Sequence, residues 1–254
     1  MKKIVISLSS ALDRRNHIKQ EFTQKNLDFE FFDAIQPDTL LNCENKLGLS
    51  LKNSSLTENE KSCFMSHFFL WNKIVNENLD FVAIFEDDIY LSDNAETFLN
   101  TNVLNDYDFI KIEKTTNNVL LHKQKKYKYK NVEYQVGILK SKHTGTGGYI
   151  LSQNGAKKLI DFVRSQTKLD HIDQVMFDCY RVSGNVNIYQ INPVLCIQDC
   201  ILYPNNQKFT SSLEWRNIKY KKIALYKKII REVTRFVVKI LTLPYKVNLY
   251  FNSK

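Results

Sequence analysis

Residues 81–91 read FVAIFEDDIYL, five apolar residues followed at once by three acids. The apolar run 81–85 predicts a strand that is buried on both faces of a sheet. Glu86, Asp87 and Asp88 leave that strand together, and adjacent carboxylates in a dry site repel one another unless a cation lies between them. Magnesium and manganese bind such oxygen ligands together with substrate phosphates. The segment indicates a divalent-metal site at the end of a strand, with a solvated acidic turn as the alternative.

Similar apolar runs recur along the chain and alternate with stretches of helical periodicity. The predicted strands cover residues 4–8, 81–85, 109–112, 148–152 and 186–191, and the predicted helices cover 13–24, 57–75, 153–165 and 174–180. The second helix begins with Thr57 and Glu60 in the spacing of a capping box. This alternation predicts an α/β fold with a mainly parallel central sheet and helices on both faces. Ligands of such sheets bind outside the carboxyl ends of the strands.

Two further segments stand out from this pattern. Residues 114–135 are rich in lysine and lack a helical period, which predicts an exposed hairpin or loop over one face of the body. Residues 143–149 read HTGTGGY and hold three of the seven glycines of the chain. Glycine is required where the backbone takes an unusual angle or where another group approaches closely. The segment therefore predicts either a ligand-facing loop or a tight turn.

The positive charge of the chain is confined to its C-terminal part. The net charge is +9, and residues 214–254 carry eleven Lys and Arg against two acids, so the preceding 213 residues are neutral. Nucleic-acid binders usually carry their charge on the folded domain, which argues against that class. We expect two units, a catalytic domain over 1–213 and a basic tail over 214–254.

The basic tail has the pattern of an amphipathic helix. Apolar residues recur at spacings of three, four or seven between 216 and 243, and Lys and Arg cover the opposite face. Such helices lie in the surface of anionic bilayers, where each basic residue contributes about 1 kcal/mol. No apolar run reaches the ~18 residues of a membrane span. Packing of the helix on the body or on a second subunit is the alternative.

The five cysteines suggest a reducing compartment. They lie at 43, 63, 179, 196 and 200, an odd number without a CxxC pair. The N-terminal apolar run 4–8 is too short for the core of a signal peptide. We therefore expect a cytoplasmic protein with free thiols, and we expect Cys63, Cys196 and Cys200 to be buried, unreactive side chains.

Taken in order, four segments resemble glycosyltransferase family 25, the lipooligosaccharide galactosyltransferases of Gram-negative bacteria. They are ISLSSALDRR (6–15), LTENEKSCFMSH with Trp71 (56–71), FVAIFEDDIYL (81–91) and GTGGYILSQNGAKKLI (145–160), and weaker matches extend the resemblance over about residues 3–212. The resemblance implies a single Rossmann-like domain of the GT-A type. It also implies metal-dependent, inverting transfer of galactose from UDP-galactose to a sugar hydroxyl.

The resemblance also implies roles for individual residues. Asp88 and Glu86 would bind the metal, manganese first and magnesium second, with Asp88 as the direct ligand. The residues implied in donor binding are Ser7, Leu8, Arg14, Asp33, Glu86, Asp87, Thr146, Gly147 and Gly148. Asp199 and its neighbours depart from the expected pattern, so a third metal ligand is left unassigned.

Inversion requires one carboxylate to take the proton of the acceptor hydroxyl without being a metal ligand. Asp173 is the first candidate for this base and Asp170 the second, with a helix N-cap as the alternative role of Asp173. His67 is expected to be structural, and His143 and His171 are weaker candidates for substrate or metal contacts.

Three rival functions stay open at this point. The same fold can use UDP-glucose, because one epimeric hydroxyl separates the two donors. The chain can instead be a non-catalytic module that binds anionic lipid or nucleic acid, or an inactive family member that serves as a scaffold. If the chain is a galactosyltransferase, we expect its partners to be UDP-galactose, a lipooligosaccharide acceptor and, through the tail, the cytoplasmic face of the inner membrane.

Overall fold

The acidic segment lies at the C-terminal end of an inner strand of a large sheet. The computed structural model describes residues 1–100, 106–183, 186–209 and 225–253. The strands are β1 (Lys2–Ser7), β2 (Glu30–Asp33), β3 (Phe81–Glu86), β4 (Ile89–Leu91), β5 (Phe109–Lys111), β6 (Glu113–Lys114), β7 (Asn118–Tyr129), β8 (Val132–Leu139), β9 (Gly148–Ser152), β10 (Tyr189–Asn192), β11 (Cys196–Gln198) and β12 (Lys246–Asn248). The helices are α1 (Leu12–Gln24), α2 (Leu40–Leu47), α3 (Glu58–Asn76), α4 (Ala95–Leu99), α5 (Gln153–Ser165), α6 (Ile172–Gln174), α7 (Asp199–Leu202) and α8 (Leu225–Thr242), with a π-helical turn at Val175–Tyr180 and a 3-10 turn at Leu243–Tyr245.

Nine strands form the main sheet, in the order β12-β7-β8-β10-β5-β9-β3-β1-β2, and β4, β11 and β6 form a small second sheet. The predicted α/β class is confirmed, but the sheet is mixed rather than mainly parallel. In the described part of the chain the parallel pairings are β1–β2, β1–β3 and β5–β10, and the other five are antiparallel. Strand β9 runs antiparallel to both of its neighbours although all five of its residues are buried, because burial on both faces does not depend on strand direction.

Helices cover both faces of the sheet, as the sequence predicts. In β3, Val82 and Ile84 point into one core cluster, which includes residues of α3 and α5. Ala83 and Phe85 point into the other cluster, which includes residues of α1 and α4. The alternation follows from the two-residue period of a strand, and it places β3 in the centre of both cores.

The local helix signals are also confirmed. Helix α3 begins after Thr57, whose hydroxyl accepts the amide of Glu60 at 3.3 Å while the Glu60 carboxylate accepts the amide of Thr57 at 2.7 Å. Helix α5 spans the predicted residues, and the Ser152 hydroxyl caps it through the amide of Gly155.

The lysine-rich segment 114–135 does contain a hairpin, formed by β7 and β8, but it does not lie over a face of the body. Strand β8 pairs with β10 and β7 pairs with β12, so the hairpin forms two inner strands of the main sheet. Val119, Leu121 and Tyr134 are buried in the two cores. In the first half of β7 the buried Val119 and Leu121 alternate with more accessible residues, and the lysines lie in its second half. The last four residues of β8 are all buried.

The predicted tail contains a helix and a strand of the main sheet. The boundary expected at 213 lies outside the described residues. Helix α8 is present over Leu225–Thr242, within the stretch of predicted amphipathic periodicity. Further along, β12 pairs antiparallel with β7, and Leu249 is only 3% exposed within the core. The end of the chain is therefore part of the folded body. None of the described helices is both long enough and apolar enough to cross a bilayer.

We expect Leu249→Ala to lower the free energy of unfolding by about 2–4 kcal/mol, because it removes a buried side chain and leaves a cavity. Tyr250→Ala is the matched control, since the neighbouring side chain is 59% exposed; we expect a change of about 0.5 kcal/mol or less. Urea unfolding at equilibrium measures both. Equal effects of the two changes would contradict the placement of the C-terminal segment in the core.

Candidate active site

Strand direction brings the acidic segment and the glycine-rich loop together. Strands β1, β2 and β3 are parallel, so Ser7, Asp33 and Glu86 lie at the same edge of the sheet. Strand β9 runs antiparallel beside β3 and starts where β3 ends, which places Gly147 against Glu86. The amide of Glu86 donates to the carbonyl of Gly147 at 3.2 Å.

A cavity of about 290 Å³ opens at this edge. Four of the predicted site residues line it together: Glu86, Asp88, Thr146 and Asp173. The remaining wall is formed by Glu60, Cys63, Gly145, His171, Ile172, Gln198, Cys200, Gln207 and Phe209. The structure therefore combines the predicted metal ligands and the predicted base in one pocket.

Glu86 has polar contacts from three directions. Its Oε1 accepts the Thr146 hydroxyl at 2.5 Å and lies 3.4 Å from Nε2 of His67, while its Oε2 accepts Nε2 of Gln198 at 2.9 Å. Burial acts to raise the pKa of Glu86, but the contacts with His67 and Thr146 outweigh it, and the pKa is lowered. Glu86 is therefore held as a carboxylate.

Asp88 lies in a different electrostatic environment. Burial and the charge of Glu86 raise the pKa of Asp88 to about 7, although Arg14 and a 3.2 Å hydrogen bond from Gln198 act to lower it. Arg14 forms its shorter ion pair with Asp87, at 2.6 Å, and lies 3.7 Å from Asp88. Arg14, which the resemblance implies in donor binding, thus contacts the acidic segment itself, and Asp87 is not among the residues that line the cavity.

The residues present fit a hard divalent cation. Glu86 and Asp88 face one cavity, and a single amide, that of Gln198, bonds to both carboxylates. The pKa of Asp88 is raised first by burial and then by the charge of Glu86, and the second cause indicates a local excess of negative charge. An oxygen-only ligand set of this kind suits manganese or magnesium.

The glycines are required by neighbouring protein side chains. Gly145 has a φ of +98°, as the sequence suggests for an unusual backbone angle. A Cβ on Gly147 would lie 2.7 Å from Glu113 Oε1 and 2.8 Å from Gln198, and one on Gly148 would lie 2.2 Å from Cys196 Sγ. The close approach that demands glycine at these two positions is therefore packing against the sheets. Thr146 is the member of the loop that reaches the cavity with its hydroxyl.

A buried ion pair holds the backbone of the glycine-rich loop in place. Lys111 and Glu113 are fully buried and lie 2.8 Å apart. Lys111 also donates to the carbonyl of Gly145 at 2.5 Å, and Glu113 accepts the amide of Gly147 at 3.1 Å. Burial raises the pKa of Glu113. The pair thus fixes the backbone on both sides of Thr146.

His143 is part of this support and does not face the cavity. Its Nε2 accepts the amide of Thr115 at 3.0 Å, and its Nδ1 lies 2.9 Å from the side-chain oxygen of Gln190. Burial and the charge of Lys111 lower the pKa of His143 to about 2, so the ring is neutral. Neither ring nitrogen is left for a metal or a substrate.

The predicted nucleotide contacts lie beside the cavity, around a residue that the sequence analysis missed. Arg15 donates to the carbonyls of Ser7 and Leu8, both at 3.0 Å, and forms an ion pair with Asp33. Its guanidinium lies 4.6 Å from the centroid of the Phe31 ring. The resemblance pointed to Arg14 of the Arg-Arg pair, and no spacing in the sequence distinguishes Arg15 from it.

The two candidates for the base are separated by the structure. Asp173 lines the cavity, and its Oδ1 accepts the amide of Gln174 at 2.7 Å. Asp170 is 63% exposed and does not line the cavity. Between them, His171 lines the cavity, and its Nδ1 lies 3.5 Å from Oε1 of the buried Glu60.

Two expectations about the cysteines were wrong. Cys63 is only partly buried and lines the cavity, because it lies on the face of α3 that is turned towards Glu86. Cys200 is exposed, since it lies in the short helix α7 at the rim. Cys196 is buried as expected, and all five cysteines are free. Burial raises the pKa of the Cys63 thiol, which makes it a weak nucleophile.

The unassigned segment around Asp199 builds a wall of the cavity. Asp199 is buried, and its Oδ2 accepts the amides of Lys208 and Phe209 at 2.7 and 3.0 Å. The Phe209 ring lines the cavity and lies 5.3 Å from the guanidinium carbon of Arg14. Asp199 therefore holds a loop rather than facing the cavity, and no spacing in the sequence marks that role.

Comparison with known proteins identifies the family. The sequence profile described as "Glycosyltransferase family 25 (LPS biosynthesis protein)" matches residues 1–176. The chain belongs to glycosyltransferase family 25. The matched region contains every predicted site residue, from Ser7 to Asp173, so this family 25 chain has its candidate site within the family's own region.

Individual relatives extend the similarity beyond residue 176. The chain is 39% identical to the lipooligosaccharide biosynthesis protein lic2B of Haemophilus influenzae, over 85% of this chain and 83% of the relative. It is 34% identical to the lipooligosaccharide biosynthesis protein lex-1 of the same species, over 92% and 88%. The lacto-N-neotetraose biosynthesis glycosyltransferase LgtE of Neisseria meningitidis is 35% identical over 78% and 74%.

Proposed function

We propose that this family 25 chain is a metal-dependent, inverting glycosyltransferase that moves galactose from UDP-galactose to a hydroxyl of a lipooligosaccharide or lipopolysaccharide acceptor. The observation that carries the proposal is the single cavity shared by Glu86, Asp88 and Asp173. A UDP-sugar reaction needs a site for the diphosphate and a base for the acceptor, and this cavity offers carboxylates for both. The names of the relatives support the acceptor class.

The donor side of the cavity is assigned to Glu86 and Asp88, on the GT-A pattern of an acidic motif that follows a central strand. These two carboxylates would hold manganese, or magnesium in its place. The metal would supply positive charge that stabilises the departing diphosphate. Thr146 and Gln198 keep the Glu86 carboxylate oriented through their hydrogen bonds.

The acceptor side is assigned to Asp173. In an inverting displacement the base removes the proton of the acceptor hydroxyl while that oxygen attacks the anomeric carbon from the face opposite UDP. Asp173 lines the cavity without belonging to the acidic segment that follows β3, so it can remain unligated. Its hydrogen bond from the Gln174 amide fixes one carboxylate oxygen and leaves the other for the acceptor.

The identity of the donor sugar is the most specific part of the proposal. Galactose and glucose differ only in the orientation of one hydroxyl, so UDP-glucose remains the alternative donor. Binding of anionic lipid or nucleic acid without catalysis is the rival of another class. A scaffold without activity is disfavoured by the Glu86, Asp88 and Asp173 carboxylates, which are all present in the cavity.

The basic helix α8 indicates where in the cell the enzyme would act. Four apolar side chains of α8, Val237, Val238, Ile240 and Leu241, are 48–67% exposed, and the basic side chains of Arg235 and Lys239 are exposed beside them. We propose that this helix binds the anionic cytoplasmic surface of the inner membrane, where a lipid-linked acceptor would be presented.

The first test is calorimetric titration of UDP-galactose, UDP-glucose and UDP, each with manganese and again with EDTA. We expect binding that depends on manganese, with the galactose donor preferred. Asp88→Ala should weaken this binding by about 10–100-fold or more, because it removes a metal ligand. Failure of the folded wild type to bind any of the three compounds would overturn the transferase proposal.

A second test compares Asp173→Asn with Asp170→Asn. Asparagine keeps an acceptor oxygen for the neighbouring amide at both positions, so neither change should disturb the fold. We expect Asp173→Asn to lower kcat for transfer by about 10²–10⁴-fold with UDP binding retained, because a general base is lost. Asp170→Asn should stay near wild type. The reverse order would assign the base to Asp170.

Vesicle flotation tests the membrane proposal. The chain should float with vesicles that contain anionic lipid and stay unbound with neutral ones, and the binding should weaken as salt is raised. A double change, Ile240→Asp with Leu241→Asp, should abolish flotation, whereas Leu41→Asp, at an exposed apolar residue of α2, serves as the control. Equal flotation of both variants would contradict the role of α8.

A further inference from the structure

A second set of metal-ligating atoms lies beside the cavity, apart from Asp88. Cys63 and Glu86 line the cavity, and His67 is buried next to Glu86. Cys63 and His67 are one turn apart on α3 and therefore share a face of that helix. Together with Glu86 they place a thiol, an imidazole nitrogen and a carboxylate oxygen within 4.8 Å of one another. Within the described part of the chain, these are the three His, Cys, Asp or Glu side chains whose ligand atoms lie close enough together to hold one metal ion.

His67 supplies an independent indication of a ligand. Its side chain is 1% exposed, and its Nε2 makes no hydrogen bond to any of the described residues. That nitrogen lies 3.4 Å from Oε1 of Glu86, so it is directed at the cluster. A buried polar atom without a hydrogen-bond partner is unfavourable, and a bound cation would supply the missing partner.

The opposite nitrogen of the ring is held by the core. Nδ1 of His67 lies 2.7 Å from the hydroxyl of Tyr149, which also accepts the indole N–H of Trp71 at 3.0 Å. When Nδ1 donates to Tyr149, the lone pair of Nε2 faces Glu86. When Tyr149 donates to Nδ1 instead, Nε2 carries the proton and supplies the contact that lowers the pKa of Glu86. A bound cation selects the first tautomer. Such an outer hydrogen bond is the usual partner of a metal-bound histidine, because it fixes the ring and its tautomer.

We infer that Cys63, His67 and Glu86 form a binding site for zinc or a cation of similar softness, distinct from the oxygen-only site at Asp88. Thiolate and imidazole ligands favour zinc over manganese and magnesium. Three protein ligands leave a fourth position, which faces the cavity. The three atoms already lie within 4.8 Å of one another, so small side-chain shifts suffice to bring them to the ~2.0–2.3 Å of zinc ligands. On binding, the Cys63 thiol gives its proton to solvent and the sulfur–metal bond forms.

Glu86 is the side chain that both sites share. Its Oε1 faces His67, while its Oε2 faces Gln198, which also bonds to Asp88. One carboxylate thus contributes an oxygen to each side. The zinc site stands on its own contacts and does not require that the chain be a transferase.

Cobalt(II) is the probe, because a cobalt–thiolate bond gives a charge-transfer absorption in the near ultraviolet that oxygen and nitrogen ligands do not give. The full chain, stripped of metal and kept reduced, is titrated with cobalt and then with zinc. We expect the band to appear at one equivalent of cobalt and to disappear when zinc displaces it. Its absence from the folded wild type would overturn the inference.

Three variants make the test specific. Cys63→Ser should lose the band, with circular dichroism confirming that it folds. Cys200→Ser is the matched control, because Cys200 lines the same cavity, and it should keep the band. Asp88→Ala should also keep the band while losing manganese-dependent UDP binding, which separates the two sites. A band that survives Cys63→Ser, or that disappears in Cys200→Ser, would overturn the assignment.

Discussion

The carboxylate of Glu86 is the interaction on which the site depends. It ends a strand whose four central residues are buried, and it contacts Thr146 of the glycine-rich loop, Gln198 of the second sheet and His67 of α3. Three separate parts of the chain thus meet on one side chain. A charge at the end of an apolar strand is stable only where such groups replace water around it, so the same contacts that keep Glu86 ionised also fix the shape of the cavity.

The buried pair Lys111–Glu113 is subject to the same constraint, because its two charges also lack water around them. Two charges in a core need each other and further hydrogen bonds to offset their lost hydration, and here the backbone of Gly145 and Gly147 provides them. The polar cluster therefore specifies where the loop runs, while glycine at 147 and 148 lets the loop approach the sheets closely enough. Thr146 is placed against Glu86 by this packing and not by a ligand.

Much of the fold follows from signals that are local in the sequence. The capping box of α3, the full extent of β9 and α5, and the strand before the acids depend on neighbouring residues, so short windows suffice to predict them. The acidic segment and Asp173 were also predictable, from a family pattern, and the structure brings them to one cavity. Strand direction was not predictable, because an apolar run looks the same in parallel and antiparallel surroundings.

The residue roles that could not be predicted depend on contacts between residues that are distant in the sequence. Arg15 acts through the carbonyls at the end of β1, and Asp199 acts through amides nine and ten residues further on. Cys63 faces the cavity because of how α3 is rotated against the sheet. None of these roles has a characteristic spacing, so a three-dimensional arrangement is needed to recognise them.

The pairing of β12 with β7 changes how the basic helix is attached. Phe209 is buried before the helix and Leu249 is buried after it, so α8 lies between two fixed points of the same body. Helix α8 is thus tethered on both sides, and the entropy of joining two fixed points rises only slowly with the length of chain between them. Shortening or lengthening the segment between these points should be tolerated far better than removing the strand that follows it. Deletion of everything beyond 213 would leave β7 as an open edge, ready to pair with another chain.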